Sequence, residues 1–224
     1  MALLGDAAVA MWWNVAQDHQ TEFHEWHSKE HLPERLSIPG FNRGSRWQRE
    51  NGGDFFVIYE LAAYETLISE AYLARLNNPT RWSKTMMPLH RDMVRSQCRV
   101  VASSGRGVAT YMSTITLSPQ NGQHARLENY LRPVLAKLPE RFGVTSAHLL
   151  RTQTPQVATT KEQQIRGGDA IADWIILVSG HDASSLRTVA SVVLNRDTLC
   201  DNGAETSEYG EPFRLIHTMT PQDV

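Results

Sequence analysis

The sequence predicts an α+β chain made of two tandem halves, each with the element order β-α-β-β-α-β around an antiparallel sheet. Three observations carry this. Short apolar and aromatic runs alternate with amphipathic stretches, the alternation repeats at a period of about a hundred residues, and Gly105-Arg106-Gly107 marks a flexible joint where composition resets.

In the first half, residues 8–15 are short, apolar and aromatic, as a buried strand is, and the polar break at 17–20 ends the run. Thr21 is placed to cap a helix over 22–36, in which Pro33 is expected at a break or at the start of a new turn. Ile38-Pro39-Gly40 stops it. Residues 41–49 and 55–61 read as two strands that pair antiparallel through a hairpin-type turn at Asn51-Gly52-Gly53. A second helix is expected over 64–76 and a fourth strand over 98–102, after a long connection containing Pro79 and Pro88.

The second half repeats the order with a strand at 108–117, a helix at 125–142 interrupted by Pro133 and Pro139, strands at 144–151 and 174–179, a helix at 184–194 and a strand at 213–219. The polar stretch 152–173 lacks periodicity and reads as a long loop that is mobile or covers a site. A βαββαβ unit is the ferredoxin-like arrangement, with both helices on one sheet face and the other face apolar and uncovered. Two such halves in one chain cover each other when their antiparallel sheets pack as an α/β barrel. The expected domains are therefore 1–105, an N-terminal ferredoxin-like half with the active-site pocket, and 106–224, a C-terminal ferredoxin-like half.

With 41% apolar residues and six each of Trp, Tyr and Phe, the chain can bury a sizeable core without disulfides or metals. Its 22 basic and 24 acidic residues are interspersed for a net charge of −2, which leaves no basic footprint for nucleic acid or an anionic membrane. Cys98 and Cys200 lie far apart without metal or redox spacing and read as free structural thiols. The opening MALLGDAAVAMWW has no basic segment before its apolar stretch, and no apolar run approaches about 18 residues. Neither a signal peptide nor a membrane span is expected, and the expected location is cytoplasmic. No nucleophile elbow, Walker loop or dinucleotide fingerprint is present, and Gly167-Gly168-Asp169 reads as a turn.

The first helix holds three of the nine histidines, His24, His27 and His31. At about 100° per residue they fall within an arc of roughly 60°, with Trp26 nearly opposite His24. If Phe23 and Trp26 mark the packing side, His27 and Glu30 lie at its border and His24 points most toward solvent. Imidazole titrates near neutrality, so acid/base chemistry by His31 with His27 and Glu30 is the functional reading, against solvated or capping side chains. His27-x-x-Glu30-His31 also matches the H-x-x-E-H pattern of inverted zinc peptidases. Pro33 follows closely and no third ligand is identifiable, so no stoichiometric zinc is expected. Trp13, Trp47 and Tyr59 on the strands, with Trp82 and Met86 after the second helix, are candidates to wall an apolar pocket, core packing being the competing role. His90, His148 and His217 stand alone and read as satisfied or exposed histidines.

The run Trp26-His27-Ser28-Lys29-Glu30-His31-Leu32-Pro33-Glu34-Arg35-Leu36, followed by Ile38-Pro39-Gly40-Phe41, Arg43-Gly44 and Arg46-Trp47, resembles the EthD-like branch of the dimeric α/β-barrel superfamily. So does Tyr72-Leu73-Ala74-Arg75-Leu76-Asn77-Asn78-Pro79-Thr80-Arg81-Trp82. The resemblance covers residues 8–105; the second half shares the element order but has no W-H-x-x-x-H on its first helix. It implies a ligand cavity between the sheet and its helices, with His31 as the usual polar group. Members include cofactor-free oxygenases, ring isomerases, polyketide cyclases and haem-binding enzymes, so fold transfers more safely than reaction.

These readings lead to one expectation: an enzyme that needs no cofactor and applies histidine acid/base chemistry to a small apolar, aromatic, lactone or polyketide-like substrate, as an isomerase, lyase or cyclase. The alternatives are a cofactor-free monooxygenase of an aromatic substrate and a non-enzymatic small-molecule or haem binder. The expected partner is a small molecule, and the family habit allows a homodimer.

Overall fold

The computed structural model describes residues 3–50 and 52–224, so Met1 and Ala2 of the opening segment and Asn51 of the expected turn lie outside the described residues. In chain order the elements are β1 (Ala7–Asn14), α1 (Gln20–Trp26), α2 (Leu32–Leu36), β2 (Phe41–Gln48), β3 (Asp54–Leu61), α3 (Glu70–Asn77), α4 (Arg81–Met86) and β4 (Arg91–Gly105). They continue with β5 (Tyr111–Pro119), α5 (His124–Lys137), β6 (Val144–Thr152), α6 (Lys161–Arg166), β7 (Trp174–Gly180), α7 (Ala183–Thr188), α8 (Arg196–Asp201), β8 (Ala204–Tyr209) and β9 (Phe213–Met219). The class is the expected one, α+β with two ferredoxin-like halves. By contacts the chain divides into two compact units drawn from separate stretches. One comprises residues 4–98, 153–171 and 216–224; the other comprises residues 99–152 and 172–215 with Leu3.

The first unit's strands lie in the order β4-β1-β3-β2. β1 pairs with β3 from Ala7↔Leu61 to Asn14↔Asp54, and β2 pairs with β3 from Phe41↔Leu61 to Gln48↔Phe55 with a bulge between Phe41 and Arg43. Period-two alternation sends Val9, Met11, Trp13, Phe55, Val57 and Tyr59 into one core with the helices. Ala8, Ala10, Trp47, Phe56 and Ile58 alternate with them and are buried as well.

The helix expected over 22–36 runs from 20 to 36 with a change of pitch. α1 passes into a π-helical turn, His27–His31, and then into α2. Thr21 lies inside α1, which follows a 3-10 turn at Gln17–His19. Pro33 does not break the helix: it stands in the first turn of α2, where the Leu32 N–H already bonds back to the His27 carbonyl, and the widened turn accommodates its ring. The stretch 64–76 divides into a 3-10 turn, Tyr64–Ile68, and α3, whose cap Ser69 accepts the Tyr72 N–H at 3.3 Å. The long connection before β4 contains α4, capped by Thr80, and β4 itself is far longer than the expected 98–102.

Gly44 lies opposite Tyr59 where Leu32 crosses the sheet, and a Cβ there would come 2.5 Å from Leu32 Cδ1 and 3.1 Å from the Tyr59 ring. Gly44→Ala is expected to cost about 1–3 kcal/mol by overpacking. A lower urea midpoint at unchanged m value is the measurement that checks it.

In the second unit β6, β7 and β5 pair antiparallel, and the other edge of β5 takes β9 at Tyr111–Met112 and β8 from Ile115 to Pro119. The last strand expected at 213–219 is β9, and β8 before it is a further strand that the sequence reading did not expect. α5 buries Leu127, Leu131 and Leu135 at helical spacing; Pro133 sits on its exposed face without interrupting it, and Pro139 opens a 3-10 turn. The expected helix 184–194 is α7 with a π-helical turn at Val189–Val193, followed by α8. Among the described residues no helix is long and apolar enough to cross a membrane.

Candidate active site

The π-helical turn carries two imidazoles inward together. His27 is 1% exposed and His31 9%, their ring centroids are 5.6 Å apart, and His31 stacks on Trp26 at 4.5 Å. His90, between α4 and β4, stacks on Trp13 of β1 at 4.8 Å with the rings 19° apart. These side chains line one cavity that opens to solvent. Met11, Trp13, Trp26, Met87 and Met93 supply apolar walls, and Tyr59, Tyr72, Arg35, Arg95, Arg166 and Glu162 supply polar groups.

Burial holds the His27 pKa well below the ordinary imidazole value, and the neighbouring Arg46, His31, His90 and His217 add to the shift. Burial does the same to His31, helped by Arg35, His90 and Arg166. His90 is pushed down to about 3 by burial and by Arg166, against an opposing effect of Asp169. Three neutral imidazoles therefore face the cavity at neutral pH. Burial also raises the Tyr59 pKa, so its hydroxyl stays protonated. His27 Nδ1, His31 Nδ1, both ring nitrogens of His90, the Tyr59 hydroxyl and Trp13 Nε1 are buried without a hydrogen-bond partner among the described residues. Unmet polar atoms of this kind are rare in protein interiors, and here they share one cavity.

A charged wall stands beside them. Arg35 is ion-paired with Glu162 and lies 3.6 Å from Glu34. Arg166 lies 3.6 Å from the other oxygen of Glu162 and makes a bidentate pair with Asp169 at 2.8 and 2.7 Å. The stretch 152–173 is therefore more than a loop. A capping box of Thr160 and Gln163 starts α6, which inserts Glu162 and Arg166 into the site, and Ala170 bonds to β4 through Met93 O and Arg95 N.

Of the site residues named from the sequence, the structure brings His27, His31, Trp13 and Tyr59 together around the cavity. Glu30 instead accepts hydrogen bonds from the Thr80 and Ser83 hydroxyls, tying the helix to the start of α4. Trp47 packs on Phe56 at 5.6 Å on the opposite sheet face, because its neighbour Arg46 is paired with Val57 on the helix face. Trp82 donates its indole N–H to Glu22 at 3.2 Å, and Met86 is buried in the core while Met87 reaches the cavity. His24 stays partly exposed beside Phe23 and Phe55. His90, Arg35, Tyr72, Arg95, Glu162 and Arg166 escaped the sequence reading. The Thr160-x-x-Gln163 spacing was the one legible sign of α6, and nothing local marks His90.

The depressed histidines tie stability to pH. Unfolded imidazoles take up protons near pH 6.5, as ordinary ones do, while the folded ones resist, so stability is full above that pH and falls as the pH drops toward the folded values. The melting temperature is expected to fall between pH 7 and pH 4. His90→Phe should flatten that slope; an unchanged slope would exclude His90 as a contributor.

No protein-family model and no curated protein matches the sequence. Among solved structures, it is similar to an anthrone oxidase-like protein at TM-score 0.65 and 9% identity over 96% of this chain and 93% of that one. It is similar to a proposed monooxygenase of Fusobacterium nucleatum subsp. nucleatum at TM-score 0.62 and 8% identity, covering 96% and 95% of the two chains. A further proposed monooxygenase, from Lactobacillus acidophilus, gives TM-score 0.61 and 7% identity with coverage of 96% and 97%. At such identities the likeness is one of fold alone.

Proposed function

We propose that the cavity is the active site of a cofactor-independent enzyme that removes a proton from a small enolisable or hydroxylated aromatic substrate. His31 is the base, His27 stands beside it, and the EthD-like Glu-His-Leu-Pro stretch supports that choice. The observation that carries the reading is the set of unpartnered polar atoms around one apolar cavity. Imidazole nitrogens are free to take a proton, and the Tyr59 O–H and Trp13 N–H are free to donate to the oxyanion left behind. Burial keeps His31 weakly basic, which suits the acidic proton of an enol, phenol or dicarbonyl better than an unactivated C–H. The proton moves to a His31 ring nitrogen and the electron pair spreads onto the substrate oxygen. Return of the proton at another carbon completes an isomerisation, and attack of the carbanion on a second carbonyl, with the His31 proton passed to the alkoxide so formed, completes a cyclisation.

The same deprotonation opens a cofactor-free oxygenation in which the substrate carbanion reduces dioxygen. The flat walls of Trp13 and Trp26 suit the aromatic substrate that this needs, and the anthrone oxidase-like neighbour carries such chemistry in its name. A panel of fused-ring hydroxyaromatics and cyclic dicarbonyls, followed by absorbance and an oxygen electrode, tests both. Turnover indifferent to oxygen supports isomerisation or cyclisation, and turnover that consumes it supports oxygenation. Absence of both turnover and any ligand-induced rise in melting temperature across the panel overturns the enzyme reading.

A further inference from the structure

We infer that the cavity takes a substrate bearing a carboxylate and that Arg95 selects it; the inference rests on the active site proposed above. The cavity is lined by three guanidinium groups, those of Arg35, Arg95 and Arg166, against one carboxylate, that of Glu162. Glu162 is shared between Arg35 and Arg166, and Arg166 is further neutralised by Asp169. Arg95 has no carboxylate partner among the described residues. The residue is 8% exposed, and its one side-chain hydrogen bond among the described residues is to the Tyr72 hydroxyl, to which Nη2 donates at 2.8 Å.

A guanidinium at a cavity wall without a carboxylate of its own has N–H groups to spare, and a carboxylate arriving with the ligand takes them up. The geometry suits one. Tyr72 accepts from Arg95, so its own phenolic proton remains free, and the free N–H groups of Arg95 with the Tyr72 O–H offer a carboxylate charge-assisted donors from two residues. Both are held in place before any ligand arrives. The Arg95 backbone N–H bonds to Ala170 O at 2.8 Å, and Tyr72 is 3% exposed with its ring 5.2 Å from Phe41. The substrate class is thus narrowed to an enolisable or hydroxylated arene carrying a carboxylate. The carboxylate lies on Arg95 and Tyr72, and the acidic proton is presented to the histidines.

Titration calorimetry with a hydroxynaphthoate and its methyl ester tests this, because the two share a ring and differ in charge. The wild-type chain should bind the acid about tenfold or more tightly than the ester. Arg95→Met should erase the preference by weakening the acid alone, Arg95→Lys should keep part of it, and Tyr72→Phe, which retains the cation, should weaken the acid a few-fold. Melting curves of each variant show that it is folded. Equal binding of acid and ester, no binding of the acid, or equal weakening of both in Arg95→Met overturns the inference. The base assignment fails separately: His31→Gln should keep the preference for acid while losing turnover, so preference with undiminished turnover condemns His31 as base and leaves Arg95 as the anion anchor.

Discussion

His31→Gln is expected to lower turnover of an enolisable aromatic substrate by about 100-fold or more, with the melting temperature little changed. Glutamine keeps much of the volume stacked on Trp26 but cannot accept and release a proton near neutrality. Because His31 Nδ1 makes no hydrogen bond among the described residues, and lies 3.9 Å from Glu34, replacing the ring removes no hydrogen bond of that nitrogen, and catalytic groups commonly cost stability. His27→Gln should give a smaller loss, and His24→Ala, on the more exposed side, should change little. Full turnover in both the His31 and His27 variants would return these residues to a packing role. A large fall in melting temperature for His31→Gln would point the same way.

The largest loss of stability is expected from Glu162→Ala, about 3–5 kcal/mol by denaturant titration. The Glu162 side chain is 3% exposed and that of Arg35 4%. Burial is the largest single effect and works against the Arg35 charge, but Glu162, Tyr72 and Tyr59 together outweigh it, so the Arg35 pKa is raised and the guanidinium stays charged. Without Glu162, Arg166 keeps Asp169, but Arg35 loses its hydrogen-bonded counter-charge and keeps only Glu34 at 3.6 Å. Replacing both members, Arg35→Met with Glu162→Leu, should recover most of the loss, since it removes the charge along with its partner. A loss within about 1 kcal/mol for the single variant would show that α6 contributes little to the fold, contrary to the mechanism of an unpaired buried charge.

Local chemistry made the framework legible. Alternation over β1 and β3 announced their two faces, turn residues announced the β2–β3 hairpin, and the apolar residues Phe23 and Trp26 announced which side of the first helix packs. These signals lie within a few residues of each other, and the period of an element follows from backbone geometry alone. Pro33 stands at the start of a new turn, one of the two places expected for it, whereas Pro133 misled because a proline's cost depends on whether its missing N–H is needed and its ring has room, which a solvent face supplied. Trp47 misled because the face on which a strand residue stands depends on register with the neighbouring strand.

By itself, then, the sequence determined the two βαββαβ halves and the helix that carries His27 and His31. Only the tertiary structure decided that His90 stacks on Trp13, that Glu162 returns from a distant segment to pair with Arg35 and brings Arg166 with it, and that Arg95 bonds to Tyr72. Those encounters join residues far apart in the chain. Their free energy comes from packing, burial and charge pairing that exist only once the chain has closed on itself, and no local pattern of residues encodes which partners meet.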